Sequence, residues 1–436
     1  MGENKDSETL VHVDEKVTDV ARKVIESQNT DDAFFVCDLR ELEGKIKLWR
    51  EEMPRVTPFY AVKACSDPVI LQILNANGVN FDCSNKAEMM SVFDIGVTPS
   101  RIVYANTVKC TSHLSFAQQK GVTLMTFDSA EELKKIEDPN ARLLLRIAAN
   151  EYGVQQSMNA KYGIPSREAR RILCSARDME MNVVGVSFHV GCAYKHPEIF
   201  ALTIADARAV FDIGIEMGFA MTVLDIGGGF PGGVRKKDHF HKVCEAVRSS
   251  IDQLFPPSSG VEIIGEPGQF FVTSAYTLLT KVVGKKTKEL VIDGLAHTHE
   301  NVYINESKYN VIPRDLYQFM DICYRPLDPP YERPSEVLTT LWGATCNPMD
   351  CILRKVPFFE VFVDEWLLMD NMGAYTLVLA CGFNGFPMPE VHYICTAKLA
   401  LQVRRTIDAM VVRSGYGHLQ QAVKWHRMRN SLSHKA

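Results

Sequence analysis

Short apolar runs recur along the first two thirds of the chain, and segments with helical spacing separate most of them. Continuous apolar runs of four to eight residues are typical of parallel strands that are buried on both faces. Between them, Pro68 to Leu74 and Ile204 to Met217 have the helical spacing, and Ser84 is predicted to cap a helix that continues through Met89. The runs are Phe59 to Val62, Val79 to Cys83, Ile102 to Tyr104, Thr123 to Phe127, Leu143 to Ile147, Val183 to Val190, Val223 to Ile226 and Ile263 to Glu266.

Eight units of strand followed by helix predict a (β/α)8 TIM barrel over residues 40–275, with its active site at the C-terminal ends of the strands. After Glu266 the pattern changes to aromatic and β-branched segments that proline-rich stretches separate. These segments predict antiparallel strands, so we expect a β-domain formed by residues 276–436 with a contribution from residues 1–39. The clearest examples are Ala275 to Val283, Phe358 to Val363 and Val391 to Thr396.

Composition excludes several classes of protein. The chain has 436 residues, of which 46% are hydrophobic, so it can bury a large core. Its net charge of −5 comes from interspersed acids and bases, which argues against nucleic-acid binding. No apolar run approaches the roughly 18 residues of a membrane-spanning helix. We therefore expect a soluble, cytoplasmic protein with a small-molecule ligand.

The 12 cysteines are thinly spread and include no Cys-x-x-Cys pair. In a chain of this size, the pattern indicates thiols in a reducing compartment. Neither a disulfide scaffold nor a metal site is expected.

Two candidate residues lie at the ends of the first and sixth predicted strands. Lys63 lies where an apolar wall would lower its pKa and favour the neutral amine, which can form a Schiff base with an aldehyde cofactor. His189 lies where its ring could stack on a flat cofactor. Each also has an ordinary explanation, as a strand-end lysine and as a hydrogen-bonded core histidine.

Two further motifs lie at the ends of the seventh and eighth predicted strands. The glycines of Asp225 to Gly232 would let the backbone approach a phosphate, at the usual phosphate site of such barrels. Glu266 could pair with a pyridine nitrogen, or simply form a salt bridge. Farther along, Cys346 offers a thiol and Tyr375 a phenol. Because four of these features fall at barrel strand ends, a shared site explains them better than coincidence does.

These residues resemble those of the ornithine decarboxylases, which are PLP enzymes of fold type III with an alanine racemase-like fold, and of their inactive relatives, the antizyme inhibitors. The resemblance covers nearly the whole chain. It implies pyridoxal 5′-phosphate as the cofactor, an amino acid as the substrate, and a head-to-tail homodimer with active sites at the interface. The segments that match closely are Pro58 to Lys63, His189, Asp225 to Gly232, Glu266 to Gly268 and Met372 to Thr376.

The resemblance also implies a role for each matching residue. Lys63 would bind the cofactor aldehyde, His189 would stack on the ring, and Glu266 would pair with the ring nitrogen. Cys346 would return a proton after CO2 leaves, at the cofactor bound by the other subunit. The polar network around the cofactor would contain Asp82 and Arg146, and its other binding residues would be Cys192, Gly227, Gly228, Gly229, Pro267, Gly268, Gln269 and Tyr375.

The chain departs from the family at the substrate site. Ornithine decarboxylases hold the distal ammonium of ornithine with two aspartates, and the matching positions here are Gln318, which follows Tyr317, and Asn347. Enclosing an ammonium without its anion costs about 3–5 kcal/mol, a ~100- to 1,000-fold or greater loss. We therefore expect Tyr317, Gln318 and Asn347 to bind an amino acid with an uncharged side chain. Leucine is the leading candidate, as in the ornithine-decarboxylase-like paralogue described as a leucine decarboxylase, and a polar neutral substrate stays open.

Two more departures concern the cofactor, because Gln269 replaces an arginine and Cys192 a serine. Losing a charge-assisted hydrogen bond should weaken PLP binding. The alternative function is an inactive regulator resembling the antizyme inhibitors. Retention of the catalytic set argues against it, and the segment matching the antizyme-binding element, Lys109 to Lys120, has few basic residues. Antizyme binding is therefore expected to be weak or absent.

Overall fold

The computed structural model describes residues 9–28, 31–154, 157–192, 194–292, 294–312, 321–328 and 336–412. They belong to two compact units. One unit is Gly44–Phe271, and the other combines Met1–Glu43 with Val272–Ala436.

The strands and helices have the following bounds. The strands are β1 (Val11–Val13), β2 (Phe34–Asp38), β3 (Val56–Ala61), β4 (Asn80–Cys83), β5 (Ile102–Tyr104), β6 (Leu124–Phe127), β7 (Arg142–Arg146), β8 (Val183–Ser187), β9 (Val223–Asp225), β10 (Glu262–Gly265), β11 (Tyr276–Ile292), β12 (Leu295–Ile304), β13 (Cys323–Pro326), β14 (Val337–Trp342), β15 (Cys351–Phe358), β16 (Trp366–Asp370) and β17 (Glu390–Cys395). The helices are α1 (Val17–Ser27), α2 (Leu39–Glu52), α3 (Pro68–Ala76), α4 (Lys86–Asp94), α5 (Thr111–Lys120), α6 (Ala130–Leu133), α7 (Ala169–Asp178), α8 (Glu198–Glu216), α9 (Lys237–Leu254), α10 (Gln269–Val272) and α11 (Ala397–Val412).

The first unit is a closed barrel of eight parallel strands, β3 to β10, so the predicted TIM barrel is confirmed. Every predicted run overlaps one of these strands. β6 and β8 are buried along their whole length, which explains why apolar residues dominate both strands instead of alternating with polar ones. The side chains that pack inside the barrel include Phe59, Val103, Leu124, Leu144, Val184, Val223 and Ile264.

The start of α4 differs from the prediction, because Asn85 rather than Ser84 caps it. The Asn85 side chain accepts a hydrogen bond from the Glu88 amide at 3.0 Å. Glu88 reaches back to the Ser84 amide at 2.6 Å, so these residues form a reciprocal capping box one position later than predicted.

The second unit contains, within its described residues, a nine-stranded sheet whose main path is β1-β17-β2-β11-β12-β14-β15. The predicted antiparallel β-domain is confirmed as an antiparallel-rich sheet, although three of its pairings are parallel, those of β17 with β1 and β2 and that of β12 with β14. The alternation of apolar and polar residues along a strand indicates which face is buried, but it does not indicate the direction of the neighbouring strand. β1 and β2 are also separated from β17 in the sequence by the whole barrel unit. Phe358 to Val363 is also not a strand, because β15 ends at Phe358 and a turn follows.

No helix in the described part of the chain is both long enough and apolar enough to cross a membrane.

Candidate functional site

Lys63 and Asp82 meet at the C-terminal ends of neighbouring barrel strands. β3 ends at Ala61, and Lys63 lies just past it in a 3-10 turn, Val62–Ala64. Its Nζ donates a hydrogen bond of 2.5 Å to Oδ2 of Asp82, which is fully buried. Burial raises the pKa of Asp82, although the positive charge of Lys63 opposes that rise. The remaining oxygen, Oδ1, has no hydrogen-bond partner among the described residues.

Glu266 and Asp225 add two more buried carboxyl groups to this end of the barrel. Burial raises the pKa of Glu266 well above its ordinary range, and the charges of Asp225 and Asp82 raise it further. Burial also raises the pKa of Asp225 to about 7, against a hydrogen bond of 2.9 Å from the Gly227 amide. Sequence reasoning gave Asp225 no role, although its position at the buried end of β9 was a usable signal.

His189 follows β8 and is neutral. Burial, followed by the charges of Arg146 and Lys63, holds its pKa well below the ordinary value. Its Nδ1 accepts a hydrogen bond of 2.9 Å from the Gly191 amide, which leaves the proton on Nε2. A neutral ring fixed in this way can present a face to a flat ligand.

The glycines after β9 are required by close backbone packing. Gly227 and Gly229 have positive φ angles of 63° and 100°, which favour glycine. A Cβ at Gly227 would overlap the Phe188 carbonyl oxygen. A Cβ at Gly228 would lie 2.9 Å from Nε2 of His189 and 2.6 Å from the Glu266 carbonyl oxygen. The turn therefore lies directly against both residues.

The remaining barrel candidates line the same strand ends. The Pro267 carbonyl accepts a 3.4 Å hydrogen bond from the Ala61 amide, and a Cβ at Gly268 would lie 3.0 Å from that of Ala64. The Gln269 amide donates to the Phe230 carbonyl at 3.2 Å.

Arg146 and Cys192 are also largely enclosed. Arg146 ends β7, is 8% exposed, and lies 5.5 Å from the centre of the Tyr162 ring. Burial raises the pKa of the Cys192 thiol, which favours its neutral form.

The second unit carries Cys346 and Asn347 on the loop between β14 and β15, which we call the thiol loop (residues 343–350). Cys346 is exposed, and its amide is 3.5 Å from Oδ1 of Asn384. Nδ2 of Asn347 donates to the Tyr309 hydroxyl at 3.1 Å, and its Oδ1 accepts from the Met349 amide at 2.9 Å. Both residues line a cavity of about 370 Å³. The candidates Tyr317 and Gln318 lie outside the described residues.

Tyr375 lies in the segment after β16, also in the second unit. Its φ of 56° is unusual for a residue with a side chain. Flanking hydrogen bonds hold this backbone, from the Gly373 amide to the Thr273 carbonyl at 3.1 Å and from the Thr376 hydroxyl to the Met372 carbonyl at 2.7 Å. A left-handed residue fixed by its neighbours is typical of a ligand-binding segment.

The barrel site fits pyridoxal phosphate. Its carboxyl groups Asp82, Asp225 and Glu266 have raised pKa values, and Oδ1 of Asp82 has no described partner. A protonated pyridine ring would supply the cation and the N–H donor that such a cluster requires. Lys63 is the amine next to this cluster, as an aldehyde cofactor requires.

Comparison with known proteins agrees with this reading of the site. The sequence family described as "Pyridoxal-dependent decarboxylase, pyridoxal binding domain" matches residues 39–273. Ornithine decarboxylase of Mus pahari is 38% identical, over 90% of this chain and 86% of its own. Antizyme inhibitor 2 of Xenopus laevis is 39% identical, over 84% of this chain and 82% of its own. The crystal structure of the Paramecium bursaria Chlorella virus arginine decarboxylase superposes with a TM-score of 0.79 and 33% identity, covering 87% of this chain and all of that one.

Proposed function

We propose that this chain, which belongs to the pyridoxal-dependent decarboxylase family that includes ornithine decarboxylase, releases CO2 from an L-amino acid with an uncharged side chain, and that leucine is its leading substrate. The observation that carries the proposal is the neutral side chain of Asn347. Tyr309 and Met349 already engage both ends of its amide, so it presents no anion to a substrate. Tyr317 and Gln318, known from the sequence alone, complete the proposed substrate-binding set.

The substrates named for the two related decarboxylases differ from leucine in the charge of the side chain. Ornithine and arginine, the substrates in those names, each carry a positive charge at the end of the side chain. A site that encloses such a charge needs an anion to offset the loss of water. An aliphatic side chain needs none, so neutral amides favour it by comparison.

The proposed catalytic roles follow the contacts of each residue. When bound, PLP supplies an electron sink for the electron pair left behind by CO2. Nζ of Lys63, which Asp82 orients through their 2.5 Å hydrogen bond, would hold the cofactor aldehyde. Glu266 would hold the ring nitrogen and keep a proton on it, and the neutral ring of His189 would pack against the cofactor. The Cys346 thiol donates the proton that replaces CO2 on the product.

The remaining candidates position the cofactor. Arg146 supplies a positive charge beside the carboxyl cluster. Proposed phosphate and backbone contacts come from Cys192, Gly227, Gly228, Gly229, Pro267, Gly268, Gln269 and Tyr375.

The test introduces the two aspartates that ornithine decarboxylases have at these positions, by combining Gln318→Asp with Asn347→Asp. Aspartate at 347 can still accept the hydrogen bond of the Met349 amide, and the Tyr309 hydroxyl, which accepts from Asn347, would become the donor, so the change adds charge with little change in shape. We expect kcat/KM for ornithine to rise by ~100-fold and that for leucine to fall. Asn140→Asp, at an exposed turn of the barrel unit, adds the same charge as a control and should change neither value. If the double variant keeps the parent's preference, the proposed substrate-binding set is wrong.

We further propose a cytoplasmic homodimer in which each thiol loop serves the barrel site of the partner subunit, with antizyme binding weak or absent. Lys109, in the segment that matches the antizyme-binding element, supports the last point. It is 3% exposed and its Nζ lies 3.3 Å from Glu132, so it adds no charge to the surface. A pull-down with antizyme should recover little of this chain, and tight binding would instead favour a regulator.

A further inference from the structure

The thiol loop ends in a buried acidic residue that the proposed chemistry does not use. Asp350 is 1% exposed, although it directly follows the exposed Met349. Carboxylates are rarely buried unless their oxygens are hydrogen-bonded. We propose that Asp350 is a positioning residue, whose carboxylate fixes the thiol loop so that Cys346 and Asn347 face the reacting amino acid. This inference rests on the proposed function of those two residues.

The Asp350 side chain accepts hydrogen bonds from both sides of the loop. Oδ2 accepts from the Thr345 amide at 3.0 Å and from the Thr345 hydroxyl at 2.7 Å. The same oxygen accepts from the Ser307 hydroxyl at 2.9 Å, and Oδ1 accepts from the Lys308 amide at 3.1 Å. The carboxylate therefore ties the residue directly before Cys346 to the segment that leads to Tyr309.

Backbone contacts of Asp350 close the loop as well. Its carbonyl accepts from the Gly343 amide at 2.8 Å, and its amide donates to the Asn347 carbonyl at 2.9 Å. A Cβ at Gly343 would overlap the Asp350 carboxyl group, so the glycine leaves the space that this group fills. Both ends of the loop are thus joined at one residue.

Cys346 depends on this anchor because its own contacts are few, and Asn347 depends on it because its carbonyl accepts from the Asp350 amide. The Cys346 amide has only a long contact with Asn384, at 3.5 Å, among the described residues. The Asn347 side chain donates to the hydroxyl of Tyr309. Tyr309 directly follows Lys308, whose amide donates to Asp350. Releasing the carboxylate should therefore move the thiol and the amide together, and a displacement of about 1 Å can lower turnover ~100-fold.

The test is Asp350→Asn in the PLP-loaded full-length protein. An amide keeps the size but has one acceptor oxygen instead of two, so the bonds of Thr345 and Lys308 cannot both survive. We expect kcat to fall about 10- to 100-fold while PLP affinity, which depends on the barrel and on Tyr375 rather than on the thiol loop, stays within about twofold. The rate at which iodoacetamide alkylates Cys346, measured by peptide mass spectrometry, should change by about threefold or more. This readout needs no substrate, so it tests Asp350 even if the proposed substrate is wrong.

Asp370→Asn is the matched control, because Asp370 accepts hydrogen bonds from Thr277 and Arg325 in the same unit and away from the loop. It should leave the alkylation rate of Cys346 unchanged. An unchanged kcat and Cys346 rate in Asp350→Asn would overturn the proposal. If iodoacetamide also alkylates the exposed Cys110 of the barrel unit faster in Asp350→Asn, that variant has loosened the fold. In that case Thr345→Val tests the proposal instead. That variant keeps the carboxylate and removes one of its bonds, so it should alter Cys346 alone, and no change there would also overturn the proposal.

Discussion

The barrel site and the thiol loop differ in almost every physical property. Lys63, Asp82 and Glu266 form a charged cluster whose carboxyl groups are buried and have raised pKa values. Cys346 is exposed, and Asn347 is neutral with both ends of its amide hydrogen-bonded. A buried cluster of charges suits a cofactor that carries complementary charges, whereas an exposed thiol and a neutral amide suit selection among side chains. Changes in the two regions should therefore have separable effects.

Removing the amine of the barrel site should have the largest effect. Lys63→Ala should reduce CO2 release from every amino acid to the uncatalysed background and abolish the visible absorbance of lysine-bound PLP, because no amine remains beside Asp82. Lys86→Ala, at an exposed position on α4, should change neither measurement. A Lys63→Ala protein with the parent's spectrum would refute the cofactor assignment.

Neutralising Glu266 should lower turnover without altering selectivity. Glu266→Gln removes the anion that keeps the ring nitrogen protonated, and we expect kcat/KM to fall ~100- to 1,000-fold for leucine and methionine alike. Glu262→Gln, at the exposed start of β10, the strand that ends directly before Glu266, is the matched control. A change in the ratio of kcat/KM for leucine to that for methionine in Glu266→Gln would contradict the expectation that the two regions have separable effects.

Adding a methyl group to the glycine turn should have a moderate effect. In Gly228→Ala the new Cβ would lie 2.9 Å from His189 and 2.6 Å from the Glu266 carbonyl, so overpacking should destabilise the protein by about 1–3 kcal/mol. Thermal unfolding and PLP titration measure the loss. Gly44→Ala on the exposed side of α2 has nothing within 4 Å and should stabilise by about 0.5–1 kcal/mol. Equal melting temperatures for the two variants would contradict this packing argument.

The sequence predicted the barrel because its strands are mostly buried on both faces, so each contains a short apolar run. It predicted the mainly antiparallel sheet of the second unit but not its parallel pairings, such as those of β17 with β1 and β2 across long intervening segments. It also missed Asp225 and Asp350, because a buried carboxylate is recognised by its partners rather than by its neighbours in sequence. The cap of α4 was misplaced by one residue, since Ser84 and Asn85 are both good capping residues.

A small effect of pH should be confined to the second unit. Burial, followed by the charge of His392, lowers the pKa of His12 to about 4. The unfolded chain therefore binds a proton more readily, so stability should decrease as the pH falls from about 6.5 towards 4. His12→Gln should make denaturant unfolding less dependent on pH over this window. An equally steep dependence in that variant would assign the effect to other groups.

The most direct test of the central claim is the substrate profile of the purified protein loaded with PLP. CO2 release from leucine, methionine, ornithine and lysine should be measured at matched concentrations. The neutral site around Asn347 predicts that leucine or methionine turns over faster than either cationic amino acid, by ~100-fold or more in kcat/KM. Faster turnover of ornithine than of every neutral amino acid would contradict the substrate assignment and leave the barrel chemistry in place.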